Sequence, residues 1–301
     1  MTLLITGATG LIGQEIVKQC HAHGINVHYL TTSKTKLSTT DNYKGFYWSP
    51  DTNEIDHSCF KDVSVIINLV GASISKRWTS AYKKEILESR TKTSQLLQDT
   101  IKTHGYDITH VISASAIGIY PSSITNYYEE SSPEVSDTFL GTVVQQWENA
   151  IDGYKRLGCK VAIIRIGLVL ANNGGVLPVL VKPVKFGIGA GFGSGNQWQS
   201  WIHLQDLAGI FVYALQNKLE GIYNGVAPNA VSNIELIKVT AKVLKRPLIL
   251  PNIPIFVLRW LLGEMHILLS QSQRVSSHKI ESEGFNFKFA NLKPALEDLL
   301  T

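Results

Sequence analysis

Short apolar runs and stretches of helical periodicity alternate through the first half of the chain. Residues 2–6 (TLLIT) form an apolar run that ends in glycine-rich sequence, which is typical of a buried parallel strand. Apolar residues then recur with helical spacing from residue 11 until Gly24, a residue type that often ends helices. The same pattern predicts strands at 25–31, 45–49, 63–70, 107–115 and 159–167, with helices at about 79–104 and 139–158. Because strands that alternate with helices form a parallel sheet covered on both faces, we predict an α/β fold with a doubly wound parallel sheet.

The pattern changes after Gly167. Residues 172–200 are rich in Gly, Asn, Pro and Val and show few helical signals, whereas 203–218 again have helical spacing. A short strand is predicted at 221–227, and helices follow from residue 231 onward. We therefore predict a nucleotide-binding domain of residues 1–166 plus 201–227, and a smaller, mainly helical substrate region of residues 167–200 plus 228–301.

Composition narrows the class of partner. The 301 residues are 44% hydrophobic and 17% charged, as in an ordinary globular protein. The net charge is +4, but no run of Lys and Arg marks a nucleic-acid face, so no nucleic-acid partner is expected. Cys20, Cys59 and Cys159 form no CxxC pair and the nine histidines form no ligand pattern, so we predict reduced thiols and no metal site.

Two apolar segments were weighed as targeting or membrane segments. The N-terminal segment lacks a basic region, since its first basic residue is Lys18. The run at 253–270 is interrupted by Arg259, Glu264 and His266, which makes it a poor bilayer span. No membrane partner is therefore predicted, and a cytoplasmic location is expected.

The first candidate site is the glycine-rich turn GATGLIG between the first strand and the first helix. Glycine allows a tight turn and close approach of backbone to a pyrophosphate, and the helix N-terminus offers free N–H groups to that anion. The position directly after a strand and before a helix is the one that this mechanism requires. The residues expected to hold a dinucleotide here are Gly7, Thr9, Gly10, Leu11, Ile12 and Gly13.

The end of the second strand bears on the choice of cofactor. A carboxylate there would hold the ribose 2′-hydroxyl of NAD, but the chain has Thr31, Thr32, Ser33 and Lys34. Hydroxyls and one cation suit a 2′-phosphate, so NADP(H) is favoured over NAD(H). The alternative is that Lys34 is simply a solvated loop lysine.

The end of the fourth strand (NLVGA) has small residues, Gly71 and Ala72, where a cofactor would cross the sheet edge. A plain turn at the strand end explains this piece equally well.

Together these segments resemble the extended short-chain dehydrogenase/reductase superfamily. GATGLIG, NLVGA, SASAIGIY, RIGLVL and WIHLQDLA occur in the order and spacing of that group. More narrowly, the chain resembles its atypical branch, the NAD-dependent epimerase/dehydratase-like epimerase family of unknown substrate with a DUF1731-like C-terminal region. That likeness depends on RWTSAYKKEILESR, QQWENA, GSGNQWQSWIH, YNGVAP, QSQRV and EGFNF. The resemblance implies a Rossmann-type domain and NADP(H) as ligand, and it adds Leu69, Ser89 and Ser113 to the expected cofactor site.

The superfamily transfers protons with a Tyr-x-x-x-Lys pair on the helix that follows its catalytic serine. A glutamate often lies four residues after that lysine in these relatives. If Glu148 is that glutamate, Val144 occupies the lysine position and Leu140 the tyrosine position. The resemblance therefore implies that the usual proton-transfer pair is missing.

Other residues near the strand end were considered as catalytic groups. Ser115 is the best match to the superfamily serine, with Ser113 as the fallback, and Tyr120 is the candidate phenol. Tyr127 and Tyr128 are weaker candidates in the same loop. A serine that merely caps a turn is an equally good interpretation of Ser115.

Four residues were predicted to contact substrate. Arg77 and Trp78 follow the fourth strand on the ligand side of such sheets, where Arg77 could clamp an anion with two hydrogen bonds. Gln197 and Trp201 lie in a glycine-rich segment that could cover the nicotinamide end. The alternatives are a surface ion pair for Arg77 and a core position for Trp201.

Three functional hypotheses remain from the sequence. The first is an NADP(H)-dependent oxidoreductase or epimerase that acts on an unknown small molecule with a non-standard proton donor. The second is a non-catalytic protein that senses NADP(H) or presents it to a partner. The third is hydride transfer to a substrate that needs no proton donor. A homodimer paired through the long helix at 79–104 is a further expectation.

Overall fold

A computed structural model describes residues 1–301. The sixteen strands, numbered β1–β16 in chain order, are Thr2–Thr6, Asn26–Thr31, Thr39–Thr40, Tyr43–Ser49, Glu54–Ile55, Val63–Asn68, His110–Ala116, Tyr127–Tyr128, Lys160–Ile166, Leu168–Ala171, Gly174–Gly175, Trp198–Gln199, Trp201–His203, Gly221–Gly225, Val231–Ser232 and Arg274–Val275. The ten α-helices, α1–α10, are Leu11–Ala22, Ser80–His104, Phe139–Ile151, Leu177–Lys185, Leu204–Gln216, Asn233–Val243, Ile255–Leu262, Ile267–Ser270, His278–Ser282 and Leu292–Leu300. Short 3₁₀ helices lie at Lys34–Lys36, His57–Phe60, Ile117–Ile119, Asp152–Leu157 and Gly263–His266.

A large, mainly parallel sheet forms the centre of the molecule, with the strand order β14-β9-β7-β6-β1-β2-β4-β3. Six parallel pairings join its seven longer strands, and the two-residue strands β3 and β5 pair antiparallel with β4 at the edge. The chain moves outward from β1 through β2 to β4, then returns to β6 on the other side of β1. The predicted α/β, Rossmann-type fold is therefore confirmed.

The reversal of strand order beside β1 determines where the helices and the ligand crevice lie. Because crossovers between parallel strands are right-handed, the reversal puts α1 and α2 on opposite faces of the sheet. Helix α1 packs against α5, and α2 packs against α3. The central strands are apolar on both sides because both faces are covered. At such a switch point, the carboxyl ends of neighbouring strands leave a crevice between them.

The smaller region is built mainly from helices, and helices α4, α6 and α10 share one hydrophobic cluster. Sequence patterning missed α4, which lies in the segment expected to be irregular. Proline is tolerated in the first turn of a helix, as Pro178 is here, and the buried face of α4 joins that cluster. The apolar run at 253–270 is broken at Gly263, whose φ is +58°. None of the helices combines the length and apolar character needed to cross a bilayer.

Candidate cofactor site and substrate cavity

The turn between β1 and α1 requires glycine at Gly7 for its backbone conformation and at Gly13 for lack of space. Gly7 has a φ of +75°, which favours glycine, and its carbonyl oxygen accepts a 3.0 Å hydrogen bond from the Gly10 N–H. A Cβ on Gly13 would lie 2.2 Å from the same Gly7 oxygen. Glycine at these positions lets the first turn of α1 approach the end of β1.

The N-terminus of α1 is open to an anion. Gly10 is its N-cap residue and no side chain caps the helix, so the N–H groups of Leu11, Ile12 and Gly13 have no partner within the protein. An uncapped helix N-terminus beside a glycine turn is the arrangement that binds a pyrophosphate. The residues present therefore fit a dinucleotide at this position, with Thr9 in the same turn.

The second strand leads to the same edge of the sheet. Thr31 ends β2, and its hydroxyl accepts a 3.2 Å hydrogen bond from the Ser33 N–H. Thr32 and Lys34 are exposed, and the Lys34 Nζ lies 4.9 Å from the centre of the Tyr47 ring on β4. The structure thus brings the predicted hydroxyls and the predicted cation together beyond β2.

The segment after β6 is fixed to α2 through Ser89. The Ala72 N–H donates a 2.8 Å hydrogen bond to the Ser89 hydroxyl, which itself donates to the Ile86 carbonyl. Gly7 packs against Leu69, since a Cβ on Gly7 would lie 3.3 Å from the Leu69 carbonyl carbon. The ends of β1 and β6 are consequently in direct contact at the switch point.

Ser113 lies behind this edge rather than on it. Its side chain is completely buried, and its hydroxyl accepts a 3.3 Å hydrogen bond from the Asn68 amide. Asn68 also accepts from the Thr6 hydroxyl at 2.7 Å. The structure does not support the prediction that Ser113 contacts the cofactor; its hydroxyl instead helps to join β1, β6 and β7.

A mostly apolar cavity of about 230 Å³ lies beyond the ends of β7 and β9. Its walls come from the loop after β6, from α2 and α3, and from the C-terminal region around α8. The lining residues are Ile74, Arg90, Ala116, Ile117, Gly118, Leu140, Val143, Val144, Trp147, Ile166, Gly167, Leu168, Trp198, Gln199, Ser200, Ile267, Leu268, Gln271 and Gln273. Leu140 and Val144, one helical turn apart on α3, are both among them.

The cavity has almost no proton-transfer chemistry of its own. No Asp, Glu, His, Cys, Lys or Tyr lines it, and Arg90 is its only charged residue. Burial lowers the pKa of Arg90 to about 10. The cavity can therefore bind and orient a small molecule and exclude water, but its walls offer no ordinary general acid or base.

Ser115 and Tyr120 belong to a buried network outside the cavity. The Ser115 hydroxyl donates a 2.6 Å hydrogen bond to Glu148, and Arg165 donates to both oxygens of that carboxylate at 2.9 and 2.8 Å. Arg165 also donates to the Tyr120 hydroxyl at 2.9 Å, and this hydroxyl donates to Asn224 at 2.8 Å. Neither Ser115 nor Tyr120 lines the cavity, where Ala116 represents the strand end instead.

The electrostatics of the network also disfavour proton donation by Tyr120. Burial raises the pKa of the Tyr120 phenol, and Arg165 offsets this only in part. Burial alone would lower the pKa of Arg165, but the hydrogen bonds and charge of Glu148 outweigh it and raise that pKa. The structure thus gives Ser115 and Tyr120 no catalytic contact with the cavity, because both side chains are committed to the pair of Glu148 and Arg165.

The two remaining loop tyrosines are also outside the cavity. Tyr128 is buried and stacks on Tyr120 with ring centres 5.2 Å apart. Tyr127 is half-exposed, and the guanidinium of Arg274 lies over its ring and over that of Trp198. Arg274 therefore has aromatic partners that the sequence did not suggest.

Two of the predicted substrate residues are structural instead. The buried Gln197 amide donates to the carbonyls of Phe192 and Leu269, both at 3.1 Å. Trp201 is fully buried in the hydrophobic cluster of the smaller region, and its indole N–H donates to the Asn229 carbonyl. Neither side chain lines the cavity, and Trp201 takes the core position given as its alternative.

The other two predicted substrate residues, Arg77 and Trp78, are not among the residues that line the cavity. Arg77 is exposed and does not line the cavity. The indole N–H of Trp78 donates to the Ile74 carbonyl, and its ring meets that of Phe139 edge to face at 5.2 Å. Trp78 therefore supports the loop that supplies Ile74, a residue of the cavity wall.

Sequence reasoning missed four lining residues with useful chemistry. Trp198 and Gln199 lie in the segment GSGNQWQSWIH, from which the sequence analysis predicts Gln197 and Trp201 as substrate contacts. Arg90 is the last residue of the motif RWTSAYKKEILESR, and Gln271 is the first residue of the motif QSQRV. For Trp198 and Gln199, which form β12, the missing signal was the direction of each side chain, because that depends on the strand register.

Known proteins resemble this chain over its whole length. The model of the NAD dependent epimerase/dehydratase family matches residues 3–225, and that of a domain of unknown function (DUF1731) matches residues 253–299. An epimerase family protein of Staphylococcus haemolyticus is 35% identical over 298 residues, which cover 99% of this chain and 98% of the relative. A relative from Staphylococcus aureus (strain MRSA252) with the same description is 33% identical over 302 residues, covering 99% of this chain and 98% of its own.

Solved structures agree with these relatives. The human epimerase family protein SDR39U1 (isoform 2), determined with NADPH, is 27% identical and matches with a TM-score of 0.84 over 99% of both chains. A nucleoside-diphosphate sugar epimerase from Corynebacterium glutamicum is also 27% identical, with a TM-score of 0.77 over 100% of this chain and 58% of that one. The family and the glycine turn together support a nicotinamide dinucleotide as the cofactor class. The resemblance seen in the motifs is thereby confirmed, and the chain belongs to the NAD dependent epimerase/dehydratase family, with a DUF1731 region at its C-terminal end.

Proposed function

We propose that this protein is an NADP(H)-dependent oxidoreductase that binds a small molecule in the cavity beside α3 and takes no proton from that helix. The observation that carries the proposal is the cavity itself, which adjoins the segment after β6 through Arg90 and holds no general acid or base. When bound, the nicotinamide cofactor supplies or accepts the hydride.

The composition of the cavity favours net oxidation or reduction over epimerisation through a keto intermediate. That form of epimerisation must remove and return a hydroxyl proton, for which the superfamily uses a tyrosine on the helix of Leu140 and Val144. Apolar side chains at those positions instead exclude water and pack against the ligand. The amides of Gln199 and Gln271 can orient a polar substrate group by hydrogen bonding. The proposal therefore favours a substrate that can exchange a hydride without a proton donor in the cavity.

Isotope tracing tests this proposal directly. The purified protein would be incubated with NADPH deuterated at the transferable position in a small-molecule extract, and metabolites would be searched for deuterium by mass spectrometry. Labelled product that requires the protein supports the proposal. Bound NADPH without any labelled product would contradict it and favour a non-catalytic sensor, the function that the apolar face of α3 would also permit.

The preference for NADP(H) is proposed from the end of β2. No Asp or Glu occurs in residues 31–40, and Lys34 stands exposed beyond that strand beside Tyr47. The human relative solved with NADPH agrees with this preference. We expect Lys34→Ala to weaken NADPH binding roughly tenfold and to leave NADH binding unchanged, because only NADPH has a 2′-phosphate.

Fluorescence titration of both nucleotides would measure this effect, with the exposed Lys61→Ala as the control. Equal losses for NADPH and NADH would contradict a role for Lys34 in choosing the cofactor.

A further inference from the structure

Arg90 is a partly buried cation without a counter-ion. None of the ion pairs in the chain includes it, and it is the only charged residue among those that line the cavity. The buried Arg165, in contrast, is paired with Glu148 through two hydrogen bonds. Since a buried charge is normally paired, the lone positive charge of Arg90 needs an explanation.

The contacts of Arg90 leave part of its hydrogen-bonding capacity unused. One terminal nitrogen donates to the Ile86 carbonyl at 2.7 Å and contacts the Ser89 hydroxyl at 3.5 Å. The other terminal nitrogen donates to the Ala72 carbonyl at 3.2 Å. A guanidinium has five N–H donors, so its Nε–H and a second N–H on the nitrogen facing Ala72 remain without partners.

The neighbours of the guanidinium fix its position. The Trp147 ring centre lies 4.9 Å from the Arg90 Cζ, and a Cβ added to Gly71 would lie 2.7 Å from that Cζ. A neutral donor could hold the carbonyls of Ile86 and Ala72 without the desolvation of a full charge. The cation–π contact with Trp147 uses the charge, but neither that ring nor the two carbonyls balances it, so the guanidinium remains without a counter-ion.

The rest of the cavity limits the kind of anion. The walls are mainly apolar, with Leu140, Val143 and Ile267 among them, and the Gln199 and Gln271 side chains make no hydrogen bond within the protein. With one cation and no second basic residue, the cavity balances a single negative charge and is too poor in charge for a phosphate dianion. Arginine pairs with planar carboxylates through two parallel hydrogen bonds.

We infer that Arg90 anchors the carboxylate of the substrate, so that this cavity takes small molecules with one carboxylate on an apolar body. The inference rests on the proposed function, because it names the substrate class of the same cavity. The amides of Gln199 and Gln271 are then available for a second polar group on the ligand.

Fluorine NMR of three matched probes tests the inference without turnover. The full chain, with and without NADPH, would be titrated with para-fluorobenzoate, para-fluorobenzamide and para-fluorophenylphosphonate. We expect the benzoate to bind roughly tenfold or more tightly than the neutral amide, and more tightly than the phosphonate. Equal binding of benzoate and amide would overturn the inference, and a preference for the phosphonate would assign Arg90 to a phosphoryl group instead.

Two variants and a control test whether Arg90 causes the preference for benzoate over benzamide. Arg90→Gln should remove the advantage of benzoate over amide while retaining amide binding, and Arg90→Lys should keep a reduced advantage because it retains charge without the paired donors. Arg156→Gln, which changes an exposed arginine outside the cavity, should behave as wild type. An unchanged preference in Arg90→Gln would overturn the inference. If Arg90→Gln does not fold, the inference is tested by the ratio of benzoate to benzamide affinity in the wild type and in Arg90→Lys.

The isotope experiment separates this inference from the proposed function. A deuterated metabolite that lacks a carboxylate would support hydride transfer and overturn the inference that Arg90 binds a substrate carboxylate. Selective benzoate binding without any labelled product would support the anchor and contradict the oxidoreductase.

Discussion

Gly13 is the residue with the least space in the cofactor turn. Its hypothetical Cβ would lie 2.2 Å from the Gly7 carbonyl oxygen and 2.7 Å from the Ala8 Cα, both of them backbone atoms that cannot turn away. Gly13→Ala should therefore separate α1 from β1, lower the free energy of unfolding by about 1–3 kcal/mol, and weaken NADPH binding. Urea unfolding and fluorescence titration would measure the two effects.

Gly24→Ala is the matched control at the other end of the same helix. Gly24 has a φ of +68° but open space around it, so alanine there should cost about 1 kcal/mol through backbone strain alone. NADPH affinity should be unchanged. If Gly13→Ala bound NADPH as well as Gly24→Ala does, the close packing at Gly7 would not be what shapes the cofactor turn.

Glu148 has a structural task that can be tested independently of catalysis. Its carboxylate is the only acidic partner of Arg165 and also accepts from Ser115. Glu148→Gln should leave the buried guanidinium without a counter-ion and lower the free energy of unfolding by about 3 kcal/mol, as urea unfolding would show. Glu297→Gln, which breaks a surface pair with Lys293, should leave stability nearly unchanged. Equal stability of the two variants would contradict this account.

At the residue level, the sequence identified segments better than it identified side chains. The glycines of the cofactor turn were predictable because their requirement is a backbone one and the motif fixes their spacing. Gln197 and Trp201 do not line the cavity although their segment borders it, because Trp198 and Gln199 supply the lining side chains. Ser115 lies near the end of β7 and Tyr120 follows that strand, yet their partners Glu148 and Arg165 come from distant parts of the chain.

At the level of elements, α3 shows why its cavity face cannot easily accept a lysine. Val144 is buried and also packs in a small cluster with Ile119, Tyr120, Tyr128, Val226 and Val275. Val144→Lys would place an ammonium among these groups, so we expect the free energy of unfolding to fall by about 2–4 kcal/mol. Urea unfolding would measure the loss.

Gln145→Lys is the control, since Gln145 is exposed on the same helix and is the next residue along it. It should change stability by less than about 0.5 kcal/mol. If both lysine variants were equally stable, the position of Val144 would tolerate the superfamily's lysine. The absence of that lysine from this chain would then need a functional explanation rather than one based on packing.

The elements that the sequence predicted well are those with a strong hydrophobic period. The long strands and the helices α1, α2 and α5 were all placed within a few residues, whereas α3 ends at Ile151 and a 3₁₀ helix at Asp152–Leu157 follows within its predicted span. Helix α4 was missed because its prolines and its glycine-rich surroundings outweighed the apolar spacing that buries it against α6. The apolar face of such a helix can be recognised only when the element that packs against it is known.

At the level of the whole molecule, contacts between the two regions complete the cavity. Lys83 on α2 forms an ion pair with Glu264, just before the α8 residues Ile267 and Leu268 that line the cavity. On the other side of the sheet edge, the Asp206 carboxylate accepts from the N–H groups of Lys288 and Phe289, both at 2.9 Å. The predicted domain boundaries remain a prediction, but these contacts show how closely the two parts depend on each other.

His203 gives this junction a dependence on pH. It is buried, it caps α5 by accepting from the Gln205 N–H, and its Nε2 lies 3.4 Å from Asp298 on α10 without a hydrogen bond. Burial lowers the pKa of His203, and Asp298 offsets this only in part. Since the unfolded histidine binds a proton first, near pH 6.5, the stability that neutral His203 provides is complete above about pH 6.5 and is lost as the pH falls through its folded pKa.

Substitution of His203 by asparagine tests this linkage, because asparagine can still cap the helix but cannot titrate. We expect the wild type to lose stability to urea between about pH 7.5 and pH 5, and His203→Asn to lose less over the same interval. Some loss should remain in the variant, since burial also lowers the pKa of His110. The exposed His278→Asn should keep the full wild-type loss. An identical pH dependence in the wild type and His203→Asn would mean that the junction does not sense protonation at His203.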